Sequence, residues 1–315
     1  MNLSSLFFLC LFILSVSVGN ASALACSEFF RIENSTALHI QNLARENFKN
    51  KISTTGYKSI EQIREGIKRG QYSVSLEDLA VKFTAGLRAP ENLRDKIVSQ
   101  GFKNQHELKS RGADNLEKMV DTESGIYGLS KEDFAKIPDK DKPLYGALVA
   151  FPEFSKIRNG SLDRYGFDLW ITKRHVVDRS TWTTTDSWAL KNDFMGFGWD
   201  KKAKLFAERD WTHIAMPAET LDLAIPFLSI EGRVHFPHKS IGPESFYRGQ
   251  IMPPRSVNIV NFIEFQIWGG LKPSDISDFV FYKEPPTQEQ LQAFKDAGIK
   301  VWDGRQDTGP IHLDL

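Results

Sequence analysis

The sequence predicts an α+β protein. A helical bundle spans residues 27–140 and a mixed, mainly antiparallel sheet domain spans 141–315. Three observations carry this. Apolar residues recur every three to four positions up to about residue 120. A charged connector ending Ile137-Pro138-Asp139-Lys140-Asp141-Lys142-Pro143 follows. From Leu144 onward the chain turns rich in aromatic and β-branched residues, as strands are.

Residues 4–19 form an apolar run of signal-peptide length, followed by small residues at Ala21, Ser22, Ala23 and Ala25. We read residues 1–25 as a signal peptide, although Met1-Asn2-Leu3 carries no Lys or Arg. A secreted or periplasmic address follows. The setting Ala23-Leu24-Ala25-Cys26 loosely resembles a bacterial lipoprotein cleavage box, with Ala23 where Leu is expected, so a lipid anchor at Cys26 is a second reading. Cys26 alone makes no intrachain disulfide once Cys10 leaves with the signal. Asn34-Ser35-Thr36 and Asn159-Gly160-Ser161 match the glycosylation sequon.

In the helical half, Asn34-Ser35-Thr36 reads as a helix start, followed by Leu38, Ile40, Leu43 and Phe48 in helical rhythm. Ser59 to Ile67 and Ser75 to Ala80 read as further helices, and Pro90 sits at a first-turn position. Gly56 to Ile63 echoes Gly101 to Leu108, which suggests two similar helical units. Residues 121–142 read as a connector. No metal or nucleophile constellation is visible in this half.

In the second half, Leu144 to Phe151, Tyr165 to Ile171, the run from Phe262, Asp275 to Tyr282 and Gly298 to Trp302 read as strands. Thr287 to Phe294 reads as a helix opened by Pro285-Pro286. Lys+Arg and Asp+Glu both total 40, so the charge balance points to neither nucleic acid nor an anionic membrane as partner. His235 and His238 flank Phe236-Pro237 with no carboxylate or Cys cluster nearby, and no metal site is expected.

Candidate chemistry centres on Asn261-Phe262-Ile263-Glu264-Phe265-Gln266-Ile267-Trp268-Gly269-Gly270. Glu264 and Gln266 are two apart and share one face of a strand, while Phe265 and Ile267 share the other. A carboxylate beside a carboxamide suits stabilising a developing cation and orienting a nucleophile; an edge strand with a solvated polar face has the same pattern. A second candidate is Arg179-Ser180-Thr181-Trp182-Thr183-Thr184-Thr185-Asp186-Ser187-Trp188. Its hydroxyls suit sugar or phosphate oxygens, or simple β propensity. A third is Tyr145-Gly146 with Arg164-Tyr165-Gly166, where an aromatic ring and a cation could meet a base and an anion, or pack as core beside a turn.

Taken in order, Leu144-Tyr145-Gly146-Ala147-Leu148, Arg164-Tyr165-Gly166, Ser180-Thr181-Trp182-Thr183 with Asp186-Ser187, and Ile263 to Gly269 resemble a bacterial family of uncharacterised proteins. Its members carry Tyr-Gly-Ala, Thr-Phe-Thr-x-Gly-Asp-Ser and Glu-Ala-Gln-Ile-His-Gly motifs. Thr185 stands where that family has Gly, and Trp268 where it has His. More distantly, the layout is similar to ADP-ribosyltransferase toxins, which combine a basic first strand, a Ser-Thr-Ser strand and a Glu/Gln-x-Glu strand. That resemblance implies a split sheet holding NAD as co-substrate and a host or competitor protein as acceptor. Glu264 and Gln266 would be catalytic, and Tyr145, Gly146, Arg164, Tyr165, Thr181, Thr183, Asp186, Ser187 and Trp268 would line the nucleotide site. The order here is Glu-x-Gln, so Gln266 holds the position of the catalytic Glu, and Tyr145-Gly146 stands where the first strand should carry Arg. A binding module without catalysis, and a hydrolase using Glu264 and Asp186 as acid and base, stay open beside the transferase reading.

Overall fold

Among the described residues, nine strands hydrogen-bond side by side in the order β5-β4-β6-β2-β1-β3-β7-β8-β9. The computed structural model describes residues 35–54, 59–69, 83–109, 113–150, 166–183, 214–225, 263–305 and 310–314, together with Ser75, Glu77, Leu79, Ala80 and Ser187. The segment read as a signal peptide, Cys26, the sequon asparagines Asn34 and Asn159, His235 and His238 lie outside the described residues. The strands are β1 (Phe83–Ala89), β2 (Leu144–Ala150), β3 (Asp168–Thr172), β4 (Ser180–Thr183), β5 (Met216–Pro217), β6 (Glu264–Ile267), β7 (Ile276–Phe281), β8 (Lys300–Asp303) and β9 (Ile311–Leu313). Every pairing is antiparallel except β7 with β8. The described helices are α1 (Ser35–Thr54), α2 (Ile60–Arg69), α3 (Arg94–Gln100), α4 (Gln105–Leu108), α5 (Ala113–Tyr127), α6 (Lys131–Ala135), α7 (His175–Asp178) and α8 (Gln288–Asp296). α8 supplies the crossover that a parallel pair needs. It starts on a capping box in which Thr287 and Gln290 exchange side-chain-to-backbone hydrogen bonds.

One sheet face is apolar. Phe83, Ala85, Leu87 and Ala89 alternate along β1 and join Leu144, Leu148, Trp170, Trp182, Phe265, Ile267, Phe279, Phe281 and Val301 in the main core. Phe48 of α1, Ile97 of α3, Val176 and Val177 of α7, Leu221, Leu223 and Phe294 of α8 cover it. Trp170 packs edge-on against Phe102 and tilted against Phe279 and Phe294. Burying one such side chain stabilises the fold by about 1.5–3 kcal/mol. The opposite face carries a smaller cluster of Ala147, Val149, Leu169, Ile171 and Val280, with Tyr282 and Trp302 against it.

The helices before residue 140 pack on the sheet. α1 buries Ala37, Ile40, Gln41, Ala44 and Phe48, a stripe at helical spacing. The Gln41 amide donates to the Ser180 carbonyl and accepts from Ala218 N–H. Residues 34–315 cluster as one unit. Two expectations need correction here. The stretch read as helical contains β1, the fifth strand of nine, because pairing with β2 and β3 outweighs the weak β propensity of its Ala, Gly and Arg residues. The sheet expected to be split is, among the described strands, one continuous hydrogen-bonded order.

A buried ion pair ties α3 to β3. Arg94 Nε and Nη2 donate to the two Asp168 carboxylate oxygens at 2.6 and 2.7 Å, and Nη2 also donates to the Glu284 carbonyl at 2.8 Å. Burial pushes the Asp168 carboxyl up from its ordinary range, and the Arg94 hydrogen bonds and charge pull it back. Removing one partner strands the other charge. Asp168→Ala is therefore expected to cost about 3–5 kcal/mol in urea unfolding, and the Arg94→Met, Asp168→Leu double variant much less than the sum of its single changes. Equal, additive losses would show that the pair is not coupled.

Candidate functional site

β6 lies between β4 and β2, so it is an interior strand and the solvated-edge reading is wrong. Its apolar side, Phe265 and Ile267, enters the main core. Its polar side is equally buried: Glu264 is 4% exposed and Gln266 0%. The strand register lays two polar rows across three strands. Thr183, Glu264 and Ala147 stand opposite one another in one row, and Thr181, Gln266 and Tyr145 in the next.

Hydrogen bonds join these rows in a fixed direction. Thr181 Oγ1 donates to Gln266 Oε1 at 3.0 Å. Gln266 Nε2 donates to Thr183 Oγ1 at 3.1 Å and to Glu264 Oε1 at 2.8 Å. Glu264 Oε1 also accepts from Ser187 N–H at 3.2 Å. Upstream, Tyr127 Oη and Thr181 Oγ1 are 2.6 Å apart. Thr181 spends its one proton on Gln266, so Tyr127 is the donor in that contact. The Trp268 indole N–H is shared between Tyr127 Oη and Thr181 Oγ1, both at 3.2 Å. The chain of donors runs from Trp268 and Tyr127 through Thr181 and Gln266 to the Glu264 carboxylate.

α5 delivers the second layer. Glu123 and Tyr127 are four apart and share one face of the helix. Tyr127 reaches β4, while the Glu123 carboxylate accepts the Tyr145 hydroxyl proton of β2 and lies 2.7 Å from His106 Nε2. Burial raises both phenols above their ordinary value of 10.0; the Glu123 and Glu264 charges add to this, most for Tyr145. Both side chains are thereby held as neutral donors.

The sequence reading meets this arrangement unevenly. Glu264, Gln266, Thr181, Thr183, Tyr145, Trp268 and the Ser187 backbone converge. Gly146 belongs to the other face: a Cβ there would lie 2.9 Å from the Gly86 carbonyl oxygen, so glycine serves close strand packing rather than ligand approach. Gly166 has φ +124° and a Cβ there would lie 2.0 Å from the Ala89 carbonyl carbon, again a backbone contact. Arg164, Tyr165 and Asp186 lie outside the described residues. The expectation of a connector over 121–142 is corrected, since α5 runs to Tyr127 and α6 follows.

Tyr127, Glu123 and His106 were missed, and only the four-residue spacing of Glu123 and Tyr127 could have signalled a shared face. Arg88 was missed as well. It stands on β1 two residues after Gly86, which pairs with Ala147, and so faces the side that carries Tyr145 and Gln266. Its guanidinium donates to the Phe167 carbonyl at 2.7 Å and lies 4.7 Å from the Tyr282 ring centroid. Among the described residues no group of three or more His, Cys, Asp or Glu side chains could hold a metal, and no helix is long and apolar enough to cross a membrane.

A phenol whose folded pKa lies above its unfolded value stabilises the fold fully below pH 10.0, and that contribution fades as pH rises past it, because the unfolded chain loses the proton first. Thermal unfolding temperature is therefore expected to fall steeply above that pH, and less steeply in Tyr127→Phe and Tyr145→Phe. Identical slopes in all three proteins would mean that the phenols are not the alkaline-sensitive groups. Compared with known proteins, the chain matches no family model and no curated sequence.

Proposed function

We propose that this chain is a secreted ADP-ribosyltransferase-like protein that cleaves the nicotinamide–ribose bond of NAD and passes ADP-ribose to a protein or to water. The observation that carries the reading is the carboxylate at the end of the donor chain. Glu264 collects hydrogen bonds from Gln266 and from Ser187 N–H on a strand flanked by the Thr181-Thr183 strand. A fixed anion of this kind favours an oxocarbenium-like transition state.

In this reading Glu264 stabilises the cation and Gln266 holds it in place, so the Glu-x-Gln order does not require Gln266 to take the charge. Arg88, on the strand beside β2, in this reading supplies the positive charge that the resemblance expects on a first strand, whose own position is held here by Tyr145-Gly146 of β2. Trp268, which replaces His in the resemblance, supports the chain through its indole N–H.

A binding module without catalysis is the second reading. One observation weighs against catalysis and so toward it: Glu264 and Gln266 are buried and already hydrogen-bonded to their own neighbours.

Nicotinamide release from NAD by the purified protein separates the two. The wild type is expected to release nicotinamide, and Glu264→Ala to do so about 10²–10³-fold more slowly. Full activity in Glu264→Ala would sink the assignment. A rise in melting temperature with NAD and no turnover would instead support the binding module.

A further inference from the structure

We propose that His106, Glu123 and Tyr145 form a proton relay between the surface at α4 and the polar row of β2, β6 and β4. His106 Nε2 lies 2.7 Å from one Glu123 oxygen, and the Tyr145 hydroxyl donates to the other. His106 is 5% exposed and Glu123 1%. Two ionisable side chains at that depth cost several kcal/mol unless paired, and an apolar pair in their place would serve stability as well. Tyr145 stands opposite Gln266, and it is the partly exposed member of the row that Thr181 and Gln266 complete.

The outer end is built to hold the imidazole. α4 has four residues, too few to persist alone. Asn104 fixes it: its side chain caps Glu107 N–H at 3.0 Å and donates to the carbonyls of Asp139 at 2.6 Å and Lys142 at 3.0 Å. His106 faces Glu123 from α5, the Phe134 ring from α6 at 5.9 Å, and the Asp139–Lys142 pair beyond α6. Lys109 and Glu107 belong to its own turn.

The relay rests on the NAD-cleaving reading only for the reaction it serves. With water as acceptor, the C1′–nicotinamide bond breaks and its electron pair leaves with nicotinamide. The water oxygen bonds to C1′ and gives one proton to Tyr145 Oη. Tyr145 passes its own proton to the Glu123 carboxylate, and neutral His106 takes that proton and releases it to solvent. Tyr145 is the group that meets the acceptor; Glu123 and His106 are positioning and transfer residues behind it.

The test is isotope-edited NMR on the full chain, following His106 imidazole and Tyr145 ring signals between about pH 5 and 8. The Tyr145 signal is expected to follow the His106 titration in wild type, and to stop doing so in Glu123→Gln. If His106 titrates and Tyr145 does not move, or moves alike in Glu123→Gln, the relay is overturned. Should Glu123→Gln fail to fold, Tyr145→Phe replaces it: a displaced His106 midpoint supports the relay and an unchanged one overturns it. Alongside, His106→Gln is expected to lower nicotinamide release by about 10²–10⁴-fold and to remove the acid limb of its pH profile. An unaltered profile counts against the relay. Absence of release in wild type with intact NMR coupling defeats the NAD reading and leaves the relay standing.

Discussion

The constraint on which this structure turns is that β6 is an interior strand with two polar side chains on one face. A buried donor or acceptor left unpaired costs about 1–3 kcal/mol. Glu264 and Gln266 must therefore be satisfied by whatever packs around them. β4 answers with Thr181 and Thr183, the Ser187 backbone reaches Glu264, and α5 and Trp268 close the layer over Thr181. The position of α5 follows from this demand as much as from its apolar residues Met119 and Ile126.

The sheet shares out polarity along one register row. Thr183, Glu264, Ala147, Gly86, Ile171, Asp278 and Lys300 stand opposite one another strand by strand. Polar residues occupy both ends and small or apolar ones the middle. The middle is tight: a Cβ on Gly86 would lie 2.9 Å from a Val149 methyl. The helices before residue 140 are part of this assembly, because the buried Gln41 amide bridges Ser180 of β4 and Ala218 after β5, and Arg94 neutralises Asp168 of β3.

Much of this was legible in the sequence where the signal is local. Period two in Phe265 and Ile267 against Glu264 and Gln266 gave the faces of β6. The runs at Leu144, Asp275 and Gly298 gave β2, β7 and β8, and Pro285-Pro286 the start of α8. What periodicity cannot report is what covers a face. Tyr127 and Thr181 are 54 residues apart, and Glu123 and Tyr145 22 apart. Neither pair leaves a trace in spacing. β1 escaped notice for a related reason: Ala85, Gly86 and Ala89 have little β propensity of their own, and only a central place between β2 and β3 makes them a strand.

The same logic explains the Glu-x-Gln order. A second carboxylate at 266 would lie beside Glu264 and within the field that Glu123 and Glu264 already cast on Tyr145. Like charges at such spacing in a dry layer cannot all stay ionised. It would also present two acceptors and no donor, leaving Thr183 and Glu264 without the amide protons they receive. A carboxamide of the same length accepts from Thr181 on one atom and donates to Thr183 and Glu264 on the other. Gln266 is thus the residue that lets a single carboxylate on β6 be held at the end of a continuous chain of donors.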